Sequence, residues 1–158
     1  MLVSELFKDK NIKVKLESED KDSLFEEMVN FLVDAENLNC RNEILNAVLE
    51  RESKMSTGIA PHIALPHANI PQINKTVGVL GISLRGVDYE ALDGKPVYII
   101  MMIIGNSESP LEHLKTLKNI ASLISNPDFL PSILKCKTPR DIIAQIVDFE
   151  DLSEFKEN

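Results

Sequence analysis

Apolar residues recur at helical spacing from about Lys21 to Asp34, where Leu24, Phe25, Met28, Phe31 and Leu32 stand among acids and lysines. An amphipathic helix is predicted there. Ile44, Leu45, Val48 and Leu49 repeat the pattern, and Arg51 ends this second helix where the helix dipole favours a cation. The periodicity then stops, because Ser53 to Ile70 is too rich in proline, glycine and hydroxyls for a helix and reads as loop, short strand, loop. Two β-rich runs follow, Thr76–Leu84 and Pro96–Ile104, separated by a polar stretch with Gly86, Asp93 and Gly94. They suit strands covered on both faces, and Ile12–Leu16 suggests one more.

Helices return at Ser109-Pro110-Leu111-Glu112, which combines an N-cap serine, proline at the first helical position and glutamate at the third. Leu114, Leu117, Ile120, Ala121 and Ile124 form the predicted apolar stripe of that helix. Thr138-Pro139-Arg140-Asp141 caps a final helix carrying Ile142, Ile143, Ile146 and Val147. Helices, strands, then helices predict an α/β (α+β) fold with a central mixed β-sheet flanked by helices. No repeat or linker divides the chain, so one domain is expected over residues 1–158, with a charged, flexible tail from about residue 150.

Composition narrows the classes. At 158 residues the chain is long enough for one sizeable core. Its net charge of -8 opposes contact with a phosphate backbone, so no nucleic-acid partner is expected. The longest apolar run, Val97–Ile104, is far short of the roughly 20 residues of a membrane helix. The amino terminus shows neither a basic segment nor a small-residue cleavage site, and a cytoplasmic location without direct membrane insertion is the expectation. Cys40 and Cys136 stand far apart without metal spacing, so neither a disulfide framework nor a metal is expected, and no cofactor is implied.

Three histidines remain as candidate chemistry: His62, His67 and His113. His67 follows Pro66, whose fixed φ stiffens the backbone. A neutral imidazole has a free lone pair for nucleophilic attack, although a histidine taken alone is more often structural. His113 falls in the first turn of its helix, where the local field favours an anion and disfavours an imidazolium, so a neutral ring there can donate one N–H to a phosphoryl oxygen. Arg51 taken alone reads as a surface cation. Ser56, Thr57 and Gly58 offer hydroxyls beside a glycine, a possible small anion pocket, but lack the lysine and spacing of a P-loop.

The stretch Arg51-Glu52-Ser53-Lys54-Met55-Ser56-Thr57-Gly58-Ile59, continued to Ile63-Ala64-Leu65-Pro66-His67, resembles the signature of the fructose/mannitol/nitrogen-regulatory enzyme IIA family of the sugar phosphotransferase system. The resemblance implies the enzyme IIA fold and a phosphotransferase with a phosphohistidine intermediate. By position, His67 would accept a phosphoryl group from phospho-HPr and pass it to a cysteine of a cognate enzyme IIB for uptake of a fructose- or mannitol-like sugar. His113, within Glu112-His113-Leu114-Lys115-Thr116-Leu117, matches the family's neighbouring histidine, and Arg51 its pocket arginine. Association with a permease would be indirect. Ile59, Ile63 and Ile70 would form an apolar docking rim. Relatives commonly place glycines near Ala60-Pro61-His62, so this turn is expected to differ, with His62 an extra, exposed histidine without a family role.

Three other readings compete. A nitrogen-regulatory relative would act by phosphorylation-dependent protein binding, and a non-catalytic binding module would take no phosphoryl group. A metal-dependent hydrolase fails on ligand spacing.

Overall fold

The computed structural model describes the backbone of residues 1–157 and the side chains of residues 1–153. The chain runs through α1 (Val3–Leu6), β1 (Ile12–Lys13), α2 (Lys21–Glu36), α3 (Arg41–Lys54), β2 (Ile63–Ala64) and β3 (His67–Ile70). It continues through β4 (Val77–Val87), β5 (Val97–Asn106), α4 (Pro110–Ile124), α5 (Phe129–Leu134) and α6 (Pro139–Glu157). β5 is the axis, pairing antiparallel with β4 on one side and parallel with both β2 and β3 on the other. β1 adds to the far side of β4 in parallel, so the sheet is mixed and bears helices on both faces, as the sequence predicts.

Both faces of β5 are covered, which is why its sequence is an apolar run without polar alternation. Ile100, Met102 and Ile104 pack with Leu24, Phe25, Met28 and Ile44 of α2 and α3. Ile99, Met101 and Ile103 pack with Ile120, Phe129, Ile142 and Ile146 of α4 to α6. Burying each such side chain contributes about 1.5–3 kcal/mol.

Several elements differ from expectation. β1 is only two residues long, though Leu16 still donates its N–H to the Ile82 carbonyl at 2.8 Å. The Ser53–Ile70 segment holds two short strands, interrupted at Leu65-Pro66. α1 and α5 carry too few residues to show periodicity, and Pro131 enters α5 within its first turn, where no amide donor is required. Ser109 does sit at the N-cap of α4 with Pro110 next, but its hydroxyl makes no cap hydrogen bond. Thr138 Oγ1, by contrast, accepts from Asp141 N at 3.2 Å as expected.

The charged segment from residue 150 is helical through Glu157. Glu150 is buried there, accepting from the Val3 and Ser4 amides of α1 and so tying the two ends of the chain together. Asn158 lies outside the described residues.

Candidate active site

α4 is rotated about its axis relative to the predicted stripe. Leu114 and Ala121 face solvent, while His113, Thr116, Ile120 and Leu123 face inward. His113 is consequently 5% exposed. Its ring centroid stands 5.7 Å from that of His67 at the start of β3. Pairing of His67 with Ile103, and the bond from Ile103 N to Pro66 O at 3.0 Å, fix the His67 backbone against β5. Arg51, in the last turn of α3, completes the group. These three side chains share an open hollow of about 390 Å³, also lined by Glu50, Lys54, Asn69 and Leu117.

Proton positions follow from the partners. His67 Nδ1 lies 2.8 Å from the Leu65 carbonyl oxygen. A carbonyl only accepts, so Nδ1 carries the ring proton and Nε2 keeps the lone pair. Burial pushes the His67 pKa below its ordinary value and the Arg51 charge pushes the same way, against the Leu65 carbonyl and Glu52. Burial, followed by the effect of His67, lowers His113 to about 4. Both rings are therefore neutral at pH 7.

Arg51 Nη1 donates to the Met55 carbonyl at 3.2 Å, which caps α3 with one of five guanidinium donors and steadies the side chain. Gly105 lets the pieces meet. A Cβ at this position would lie 2.4 Å from His113 Nδ1 and 2.4 Å from Asn69 Oδ1, so the imidazole and the amide occupy the space that any side chain would fill.

The Ser56-Thr57-Gly58 turn does not line this hollow. Thr57 is buried, its hydroxyl donating to Glu52 Oε2 at 2.6 Å and accepting from Tyr89 OH at 2.7 Å. Its backbone N–H reaches Glu52 Oε1 at 2.9 Å, and Lys21 Nζ approaches the same oxygen at 2.7 Å. These donors are thus committed to structure. The Ser56 hydroxyl accepts from Gly58 N at 3.2 Å.

Two further expectations are corrected. Ile63 and Ile70 are each 3% exposed because successive β positions turn them into the core, which leaves only Ile59 of the supposed rim on the surface. His62 is not freely exposed, since its Nδ1 meets the Pro96 carbonyl at 2.8 Å and its ring packs on Tyr98. With φ at 67° it adopts the left-handed conformation that glycine favours. The bond from Ile63 N to Ala60 O at 3.1 Å closes the turn around Pro61 and His62. The turn thus holds a left-handed backbone without a glycine.

Sequence reading missed Asn69 and Gly105. Strand alternation contained the first: two residues after His67, Asn69 shares its face. Nothing local marked Gly105, which is required by a ring arriving from α4.

Residues 5–148 match the family model described as phosphoenolpyruvate-dependent sugar phosphotransferase system, EIIA 2. The chain is 34% identical over 151 residues to the fructose-specific EIIABC component of Bacillus subtilis, covering 96% of this chain and 24% of that protein. It thus spans about a quarter of that relative's length. Among solved structures, nitrogen regulatory protein IIA-Ntr from Neisseria meningitidis superposes with a TM-score of 0.84 at 24% identity, covering 91% of this chain and 98% of that one. Escherichia coli enzyme IIA mannitol, solved in complex with phosphorylated enzyme IIB mannitol, gives 0.76 at 15% identity, covering 89% and 96%. No helix among the described residues is long and apolar enough to cross a membrane. The match over nearly all of the chain, carried on this mixed sheet and its flanking helices, places the protein in the EIIA type 2 family of the sugar phosphotransferase system.

Proposed function

We propose that the protein is a phosphohistidine carrier, with Nε2 of His67 taking a phosphoryl group from phospho-HPr and delivering it to a cysteine of an enzyme IIB. The observation that carries this reading is the His67 Nδ1–Leu65 carbonyl bond beside a second neutral histidine. Because the ring proton already resides on Nδ1, attack through Nε2 forms the new N–P bond as the donor's N–P bond breaks, and His67 need release no proton. In the reverse sense, thiolate attack breaks the N–P bond and returns His67 to the same tautomer.

Transfer of this kind depends mainly on positioning and on charge stabilisation of the equatorial oxygens. Arg51 and His113 are the groups placed to supply it, together with the positive end of α4. The hollow is open, which suits a relay that must meet two partners in succession. A fructose-type sugar is the proposed cargo of the pathway, supported by the fructose-specific relative. The partner protein in the solved mannitol complex supports an enzyme IIB acceptor. A location in the cytoplasm accords with these partners.

The likeness to a nitrogen regulatory protein supports a second reading, in which the phosphorylation state governs binding to other proteins. Presenting the phosphorylated protein to candidate enzyme IIB domains separates the two. Rapid discharge by a fructose-type enzyme IIB is expected; discharge by none overturns the sugar reading.

A further inference from the structure

His113 has two nitrogens in different situations. Nδ1 is sealed from solvent and has no hydrogen-bond partner among the described residues, which is costly for a buried polar atom. Asn69 shares the His67 face of β3, is exposed, and brings its amide oxygen to 2.4 Å from the point where a Cβ on Gly105 would lie, as near that point as His113 Nδ1 itself. An amide's oxygen and nitrogen exchange places by a half-turn about the terminal bond, so the orphaned nitrogen can receive either an acceptor or a donor from Asn69.

Which of these is needed follows from the role of the ring. Neutral imidazole carries one N–H. If Nδ1 held it, the other nitrogen would turn a lone pair toward phosphoryl oxygens and repel them. If Nδ1 accepts, Nε2–H becomes a donor to those oxygens. We propose that Asn69 is a positioning residue that donates its Nδ2–H to His113 Nδ1 and so fixes the Nε2–H tautomer of the second histidine. This rests on the phosphocarrier reading for its purpose, although the tautomer itself is measurable without any phosphoryl transfer.

The arrangement gives each histidine of the pair a different proton. His67 holds its own on Nδ1 against the Leu65 carbonyl and keeps Nε2 as nucleophile. His113, accepting at Nδ1, keeps Nε2–H as electrophilic donor. Two rings of the same residue type, 5.7 Å apart, thereby take opposite roles through one backbone carbonyl and one side-chain amide.

The test is long-range proton–nitrogen correlation NMR on histidine-labelled protein near pH 7, which distinguishes the two tautomers by nitrogen shift. The native protein is expected to show Nε2–H at His113. In Asn69→Asp a carboxylate replaces the donor and can only accept, so the proton is expected to move to Nδ1. The His113 pKa should rise at the same time, against burial and the opposing influence of His67. Asn69→Ala should mix the tautomers and slow phosphoryl transfer about tenfold, with His67 still labelled. Asn69 is exposed, and an unchanged His62 resonance, from a ring outside the hollow, would show that the variants fold.

A native Nδ1–H tautomer, or one indifferent to Asn69→Asp, overturns the proposal even if His67 is phosphorylated normally. The expected tautomer change in a protein that accepts no phosphoryl group would uphold the positioning while sinking the carrier reading.

Discussion

Two polar clusters lie on either side of the last turn of α3, and they are finished differently. Around Glu52, Lys21, Thr57 and Tyr89 connect through three hydrogen bonds and an ion pair, with the ammonium 4.7 Å from the centroid of the tyrosine ring. Because the Thr57 hydroxyl donates to Glu52, Tyr89 must donate to Thr57. Burial and the Glu52 charge accordingly hold Tyr89 in its protonated form by raising its pKa. Around His67 the opposite holds: its Nε2 keeps a free lone pair, and the buried Nδ1 of His113 has no partner among the described residues unless the Asn69 amide turns toward it. A closed network stabilises, whereas incomplete satisfaction leaves valences for a ligand.

The contrast is sharp enough to break by mutation. Glu52→Ala leaves Lys21 and the Thr57 amide unpaired, and should cost roughly 3 kcal/mol of unfolding free energy in a denaturant titration. A loss below about 1 kcal/mol would mean that the network is not a structural anchor.

His113→Ala should do the reverse, slowing phosphoryl transfer about 100-fold as expected for loss of a charge-stabilising donor, with a smaller stability loss than Glu52→Ala. It should also alter the acid limb of stability. The folded pKa of His113, about 4, lies below the ordinary histidine value. Below that ordinary value the unfolded chain binds a proton that the folded protein refuses, so this contribution is fully present above about pH 6.5 and lost as pH falls toward 4. Thermal melts between pH 7 and 4 should show a shallower decline in the variant.

Gly105→Ala places a methyl where the His113 ring and the Asn69 amide meet. Transfer should slow about tenfold, with a loss of roughly 1–2 kcal/mol from overpacking. Normal rates would show that the ring tolerates displacement. The smallest effect is expected for His62→Gly, which removes a side chain from a left-handed position. Relief of backbone strain, partly offset by the lost Pro96 bond, should raise stability by less than about 1 kcal/mol and leave transfer unchanged.

Comparison of the two clusters also shows what the sequence could convey. Periodicity marked α2 and the apolar runs of β4 and β5, because each buries a regular set of positions. The family motif drew attention to Arg51, His67 and His113, which the fold brings to one hollow. The two hydroxyls beside Gly58 suggested Thr57 as an anion donor, and there the reading misled, since a hydroxyl's direction depends on Glu52 five residues earlier and on Tyr89 in a distant loop. The rotation of α4 was hidden because Leu111 and Leu114 are apolar yet exposed, while His113 and Thr116 are polar yet buried. Polar residues on the inner face make a functional helix look rotated when only hydrophobicity is read.

The most direct measurement is intact mass under alkaline conditions after incubation with phosphoenolpyruvate, enzyme I and HPr, applied to the native protein and to His67→Ala. The native chain should gain the mass of one phosphoryl group and the variant none. No gain in the native chain, or an equal gain in His67→Ala, would contradict the assignment of His67 as the acceptor.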